Sequence, residues 1–249
     1  MKLIHKFKSL NYDKRNNKKI AFLIIHYTAL PSIEDSIKHL CDKRNKVSCH
    51  YLISQNGKIY NLVNEKYRAW HAGQSEWLLE KDLNSVSIGI ELDFSTNNNN
   101  NKFSTLLIDS LISLIKYLKK KYKIDKRNIL GHSDVAPYRK IDPGEKFPWK
   151  KLYNLNLSYY PRKVNLIELE KIRTWFNKNK IYSNKNKLLI MLNIIGYDIS
   201  KSINNKSSYK SLINNYKSHY LQKNYLGHSN TKLFEFIERH FCSLLLTKT

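Results

Sequence analysis

Short runs rich in β-branched residues at 20–25, 49–54, 58–63, 86–92 and 129–130 alternate along the chain with stretches of helical period, and this alternation limits the fold more than any other feature. The runs have strand length and are too short for buried helices. Strands interleaved with helices need a sheet whose faces those helices cover, so the sequence predicts an α/β fold with a mixed central β-sheet flanked by helices. The run at 20–25 leads into His26. Ser32 then caps a helix, with Asp35 three residues on and Ile33, Ile37 and Leu40 at helical spacing. Between the second and third runs, Gln55-Asn56-Gly57 supplies the positive φ angles of a tight hairpin turn. Alternation within 86–92 puts Val86, Ile88 and Ile90 on one face and Ser87, Gly89 and Glu91 on the other. Ser104 caps a long helix reaching about residue 122, striped by Leu107, Leu111, Leu114, Ile115 and Leu118. The Asn tract at 97–101 has no apolar group to bury and reads as a mobile loop.

Composition shifts after Trp149. Residues 153–164 show no period and contain Pro161, and helical patterns follow at 166–179, 185–195, 209–220 and 231–246. The expected organisation is a lead at 1–18, an α/β unit at 19–155, a linker at 156–164 and a small C-terminal helical domain at 165–249. No apolar run approaches the ~20 residues of a membrane-spanning helix, so no transmembrane segment is expected. The basic first residues are not followed by the apolar stretch of a secretory signal, which points to a cytoplasmic location, with periplasmic or exported the alternative. Cys41, Cys49 and Cys242 are an odd count without CxxC spacing and read as reduced thiols.

The chain holds 44 Lys and Arg against 20 Asp and Glu, a formal charge of +24. A field of that sign attracts polyanions, whether nucleic acid or anionic cell-wall polymer. The excess is mostly Lys spread along the whole chain, neither concentrated in one helix nor clearly interleaved with stacking aromatics. No nucleic-acid partner is therefore expected, and the chain should be a monomer.

A catalytic zinc centre takes three protein N, O or S ligands and leaves one position open, so His and carboxylates at strand ends are the residues to weigh. His26 ends the first strand. His132 follows the last, and Asp142 lies ten positions further on (142 − 132), in Lys140-Ile141-Asp142-Pro143-Gly144. By spacing alone, a hydrogen-bonded structural His and an Asp-Pro-Gly turn explain these residues as well as a metal does.

The whole run Gly131-His132-Ser133-Asp134-Val135-Ala136-Pro137-Tyr138-Arg139-Lys140-Ile141-Asp142-Pro143-Gly144, followed by Phe147-Pro148-Trp149, says more. It resembles the hallmark segment of the N-acetylmuramoyl-L-alanine amidases of the AmiD and AmpD type. Supporting matches occur in the expected order at His26-Tyr27-Thr28-Ala29, Val47-Ser48-Cys49-His50-Tyr51-Leu52-Ile53, Ala69-Trp70-His71-Ala72-Gly73 and Ile88-Gly89-Ile90-Glu91-Leu92. Together they span roughly residues 20–155. The segment 192–197 and the helix around 216–220 resemble a degenerate peptidoglycan-binding three-helix domain.

The resemblance implies one Zn2+ per chain held by His26, His132 and Asp142, with Glu91 as the catalytic carboxylate and Lys140 as its cationic partner. The substrate it implies is peptidoglycan or muropeptides, cut between N-acetylmuramic acid (ordinary or 1,6-anhydro) and L-alanine during cell-wall turnover or recycling. His71, Trp70 and Trp77 are candidate groove walls, although both Trp also suit a core. His50 reads as structural, and Arg139 can meet a stem-peptide carboxylate. Tyr138 stands where the family usually carries Gly, so it either touches substrate or is tolerated by the loop. The rival reading is a non-catalytic peptidoglycan-recognition module of the same fold, but such proteins have lost a metal ligand and this chain keeps all three.

Overall fold

The computed structural model describes residues 2–95, 102–222 and 230–246, and the Asn tract at 97–101 lies outside them. The strands are β1 (Leu3–Ile4), β2 (Tyr12–Lys14), β3 (Phe22–Tyr27), β4 (Tyr51–Ile53), β5 (Ile59–Asn61), β6 (Tyr67–Ala69), β7 (Ser87–Leu92) and β8 (Ile129–Gly131). The helices of the α/β unit are α1 (Ile33–Cys41), α2 (Leu83–Val86), α3 (Thr105–Tyr122), α4 (His132–Val135) and α5 (Trp149–Asn154). The C-terminal helices are α6 (Leu166–Lys178), α7 (Asn184–Ile195), α8 (Lys206–Tyr220) and α9 (Asn230–Leu245). No helix of the described residues is long and apolar enough to cross a membrane.

Six strands form one sheet in the order β1-β5-β4-β7-β3-β8, in which only β4 and β5 run antiparallel. The mixed sheet and its helical covers match the sequence reading. Along β3, Leu23 and Ile25 join Ile88, Ile90 and Leu92 of β7 beneath Leu107, Leu111, Leu114 and Ile115 of α3. Phe22 and Ile24 point to the opposite face and meet the cluster built by α6–α9. His26 continues that second face, because side chains alternate along a strand. Each fully buried Leu or Ile stabilises this arrangement by about 1.5–3 kcal/mol. The helix caps follow the sequence: the Ser32 hydroxyl accepts from Asp35 N–H and the Ser104 hydroxyl from Leu107 N–H.

Three expectations change. The lead at 1–18 is built into the α/β unit: β1 extends the sheet beside β5, β2 pairs with β6, and Arg15 is buried, donating to the carbonyls of Glu65, Asn84, Ser85 and Ser87. A guanidinium with five donors can gather several carbonyls at once, and nothing in a charged, polar stretch signals that in advance. Val86 ends α2 and packs with the C-terminal helices instead of beside Ile88 and Ile90, since the strand begins one residue later. In the β4–β5 hairpin only Gly57 takes positive φ (79°), while the Asn56 side chain accepts from the Ser54 hydroxyl and Lys58 N–H.

Candidate metal centre

Parallel pairing of β3 and β7 sets His26 directly beside Glu91, both on the face away from α3. β8 pairs on the other side of β3, with Gly131 opposite Ile25, so His132 emerges next to His26. Asp142 is brought back by its own carbonyl, which accepts from Ser133 N–H at 2.8 Å. A Cβ on Gly131 would lie 2.6 Å from the Pro143 ring, so only glycine allows the two ends of this loop to close.

The three side chains converge. His26 Nδ1 lies 2.9 Å from His132 Nδ1 and 3.2 Å from Asp142 Oδ2, and His132 Nδ1 lies 3.1 Å from that oxygen. All three residues are buried. Three bonds of about 2.0–2.1 Å to one tetrahedral ion would place their donor atoms roughly 3.3 Å apart.

The surrounding hydrogen bonds fix which ring nitrogens carry protons. The Ser87 hydroxyl donates to Leu83 O, so it accepts from His71 Nε2 at 3.1 Å. His71 Nδ1 is then an acceptor and takes the Nε2 proton of His26 at 3.0 Å. His132 Nε2 faces the Ala72 carbonyl at 3.1 Å, which can only accept. With Nε2 as the donor in both rings, Nδ1 is the nitrogen whose lone pair His26 and His132 can offer, and these two atoms face each other and the Asp142 carboxylate. Three acceptors in mutual contact repel unless a cation lies among them, so the donor set fits a metal ion.

Electrostatics agree with this arrangement. Burial, then the neighbouring His132, lowers His26 to about 4 and keeps its ring neutral near pH 7. Burial alone would raise Asp142, but His132 and His26 hold it well below the usual carboxylate range. Glu91 behaves oppositely: burial, and next the Asp142 charge, push it up to about 8, with Lys140 acting against them. Its Oε2 is buried without a hydrogen-bond partner among the described residues. These groups line a cleft of about 320 Å3 together with Tyr27, His39, Arg139 and Ile141.

The other candidates separate. His71 lies at the base of the cleft, both nitrogens engaged, its ring packed so closely on Gly89 that a Cβ there would come within 2.3 Å. It supports His26 and is less a wall than expected. Arg139 reaches the cleft with its Nη2 held by the carbonyls of Ala72 (2.7 Å) and Gln74 (2.9 Å). Trp70 donates from its indole to Asp13 and is not among the cleft residues. Trp77 is only 2% exposed, packed edge-on against Tyr197 and over Gly196, so it is a core residue. The Tyr138 hydroxyl donates to Asp198 O and is not among the residues that line the cleft. His50 is structural, its Nδ1 accepting from Gly89 N–H. Sequence reasoning missed Ser87, which sets the histidine chain, and Asn84, whose side chain accepts from the N–H groups of His71 and Ala72. The small residues at alternate positions of β7 were the available signal.

His71→Leu should weaken metal binding about 10- to 100-fold, because it frees the His26 ring to turn and change tautomer. His71→Asn, whose Oδ1 can still accept from His26, should retain most of the affinity. Competition with a coloured chelator measures both, and equal affinities for the two variants would count against the hydrogen-bond chain.

The family profile of N-acetylmuramoyl-L-alanine amidase matches residues 16–145. The chain is 38% identical over 162 residues to the 1,6-anhydro-N-acetylmuramyl-L-alanine amidase AmpD of Haemophilus influenzae, a match covering 57% of this chain and 86% of that protein. It is 40% identical over 159 residues to the N-acetylmuramoyl-L-alanine amidase AmiD of Escherichia coli, covering 57% of this chain but 55% of that one. The structure of E. coli AmiD with anhydro-N-acetylmuramic acid-L-Ala-D-gamma-Glu-L-Lys superposes with a TM-score of 0.74 at 28% identity, over 94% of this chain and 92% of that one. That likeness includes most of the C-terminal helices.

Proposed function

The chain belongs to the N-acetylmuramoyl-L-alanine amidase family, and on that premise we propose that it is a zinc hydrolase cutting the amide between N-acetylmuramic acid and L-alanine in peptidoglycan or muropeptides. The observation that carries this reading is the convergence of one ligand atom each from His26, His132 and Asp142, with the orphaned Glu91 carboxyl beside them in one cleft. His26, His132 and Asp142 would hold zinc, which would supply the Lewis acidity that makes water a nucleophile near neutral pH.

Glu91 then has two tasks. Its carboxylate takes a proton from the attacking water, and its carboxylic acid returns one to the leaving amine of L-alanine. Lys140 offers a positive charge where negative charge grows on the lactyl carbonyl oxygen. Arg139, anchored through Nη2, presents a fixed cation to a carboxylate of the stem peptide. Strand pairing fixes His26 and Glu91 before substrate arrives, so these two need little reorganisation during the reaction.

The purified protein should release free stem peptide from 1,6-anhydro-muropeptides or from intact sacculi, lose that activity on chelation and regain it with zinc. Chromatography with mass detection reads the product, and the ratio of the two substrates tells fragment from polymer. Hydrolysis untouched by metal removal would overturn the proposal. A pure recogniser would instead bind both substrates without releasing peptide.

A further inference from the structure

Between His132 and Asp142 the chain forms only the four-residue α4, yet this stretch sets two ligands and Lys140. Much of what holds it comes from the C-terminal helices. Asn215, buried on α8, donates from its side-chain amide to Pro137 O at 2.8 Å and to Lys140 O at 2.9 Å. Tyr197 OH and His219 Nδ1 donate to the two oxygens of Asp134 at 2.6 and 2.7 Å, and the same carboxylate accepts from Gly131 N–H at 2.7 Å. Tyr138, the departure from the family's usual Gly, lends its hydroxyl to this interface through Asp198 O at 2.7 Å.

We propose that Asn215 is a positioning residue for the metal loop, so that the C-terminal helices complete the catalytic centre in addition to any contact they make with polymer. A primary amide offers two N–H donors without a charge, which suits a buried site facing two carbonyls three residues apart. Without it, both carbonyls lose their donor, and the turn carrying Lys140 can shift relative to His132 and Asp142. The role assigned to Lys140 rests on the amidase reading; the grip on the loop does not.

Asn215→Leu keeps the branching and the number of heavy atoms of the side chain and removes both donors. Measured well below its melting temperature, it should lose kcat by about 10- to 100-fold, the effect of misplacing a reacting group by about 1 Å, with KM little changed. It should also yield zinc to a chelator faster than the parent. Glu238→Gln is the control, because it weakens the Arg173–Glu238 pair inside the helical unit without touching the loop. It should lower the melting temperature while leaving kcat and chelator resistance unchanged. Parental kcat and metal retention in Asn215→Leu, or equal losses in both variants, would overturn the inference.

Hydrogen exchange on the metal-free parent gives a second test that needs neither variant nor turnover. The N–H groups of Arg139 and Lys140, both bonded to Ala136 O, should open together with α8. Exchange of these amides independent of α8 would refute the positioning role even if the amidase reading holds, and concerted opening without hydrolysis would refute only the latter.

Discussion

His132→Ala should give a folded protein that holds no stoichiometric zinc and releases stem peptide no faster than background, a loss on the order of 10^4-fold or more, equivalent to about 5.5 kcal/mol of barrier. His132 Nδ1 lies against both other donors, at 2.9 Å from His26 and 3.1 Å from Asp142. Its removal leaves two donors where a stable site wants at least three. Folding should survive, since the sheet is held by Leu23, Ile25, Ile88 and Ile90 under α3, none of which lines the cleft. Elemental analysis, circular dichroism and a peptide-release assay read the three parts of the result. Full occupancy together with lost activity would instead make His132 a residue acting on substrate.

The sequence made the sheet legible because burial repeats along it: the run at 20–25 and the alternation at 86–92 required two buried strands, and parallel pairing brought His26 beside Glu91. Asp142 was legible only through the segment that contains it, since ten positions of separation do not say how a loop closes. The contact that closes it is Gly131 against Pro143, a steric fit that periodicity does not encode. Trp77 was ambiguous because an aromatic ring suits a sugar-binding wall and a core equally, and its burial against Tyr197 and Gly196 decides between them. Arg15 and Asn215 were invisible for a related reason. Each side chain satisfies backbone carbonyls from distant segments, and a carbonyl carries no sequence signature.

Glu91→Gln should retain zinc and lose about 10^2- to 10^4-fold in kcat, the range attributed to a positioned acid or base. The amide matches the carboxyl in shape, so the cleft and its ligands should be undisturbed. The variant also separates catalysis from stability. In the metal-free protein burial and Asp142 raise Glu91 from its ordinary 4.5 to about 8. For a group raised on folding, the stabilisation is fully present below the unfolded value and is lost as pH rises through the folded one. Glu91 therefore contributes a decline in the stability of metal-free parent between about pH 4.5 and 8, against the rise that buried His26, His50 and His240 contribute up to about pH 6.5, and Glu91→Gln should lack that decline because its side chain does not titrate. A divalent cation held by His26, His132 and Asp142 would favour the Glu91 carboxylate, the form that accepts a proton. The same substitution should thus remove Glu91's share of the pH dependence of stability in metal-free protein and lower kcat by the stated factor in the zinc-loaded form. A variant that hydrolyses muropeptide at the parental rate would remove Glu91 from the mechanism, whatever its effect on stability.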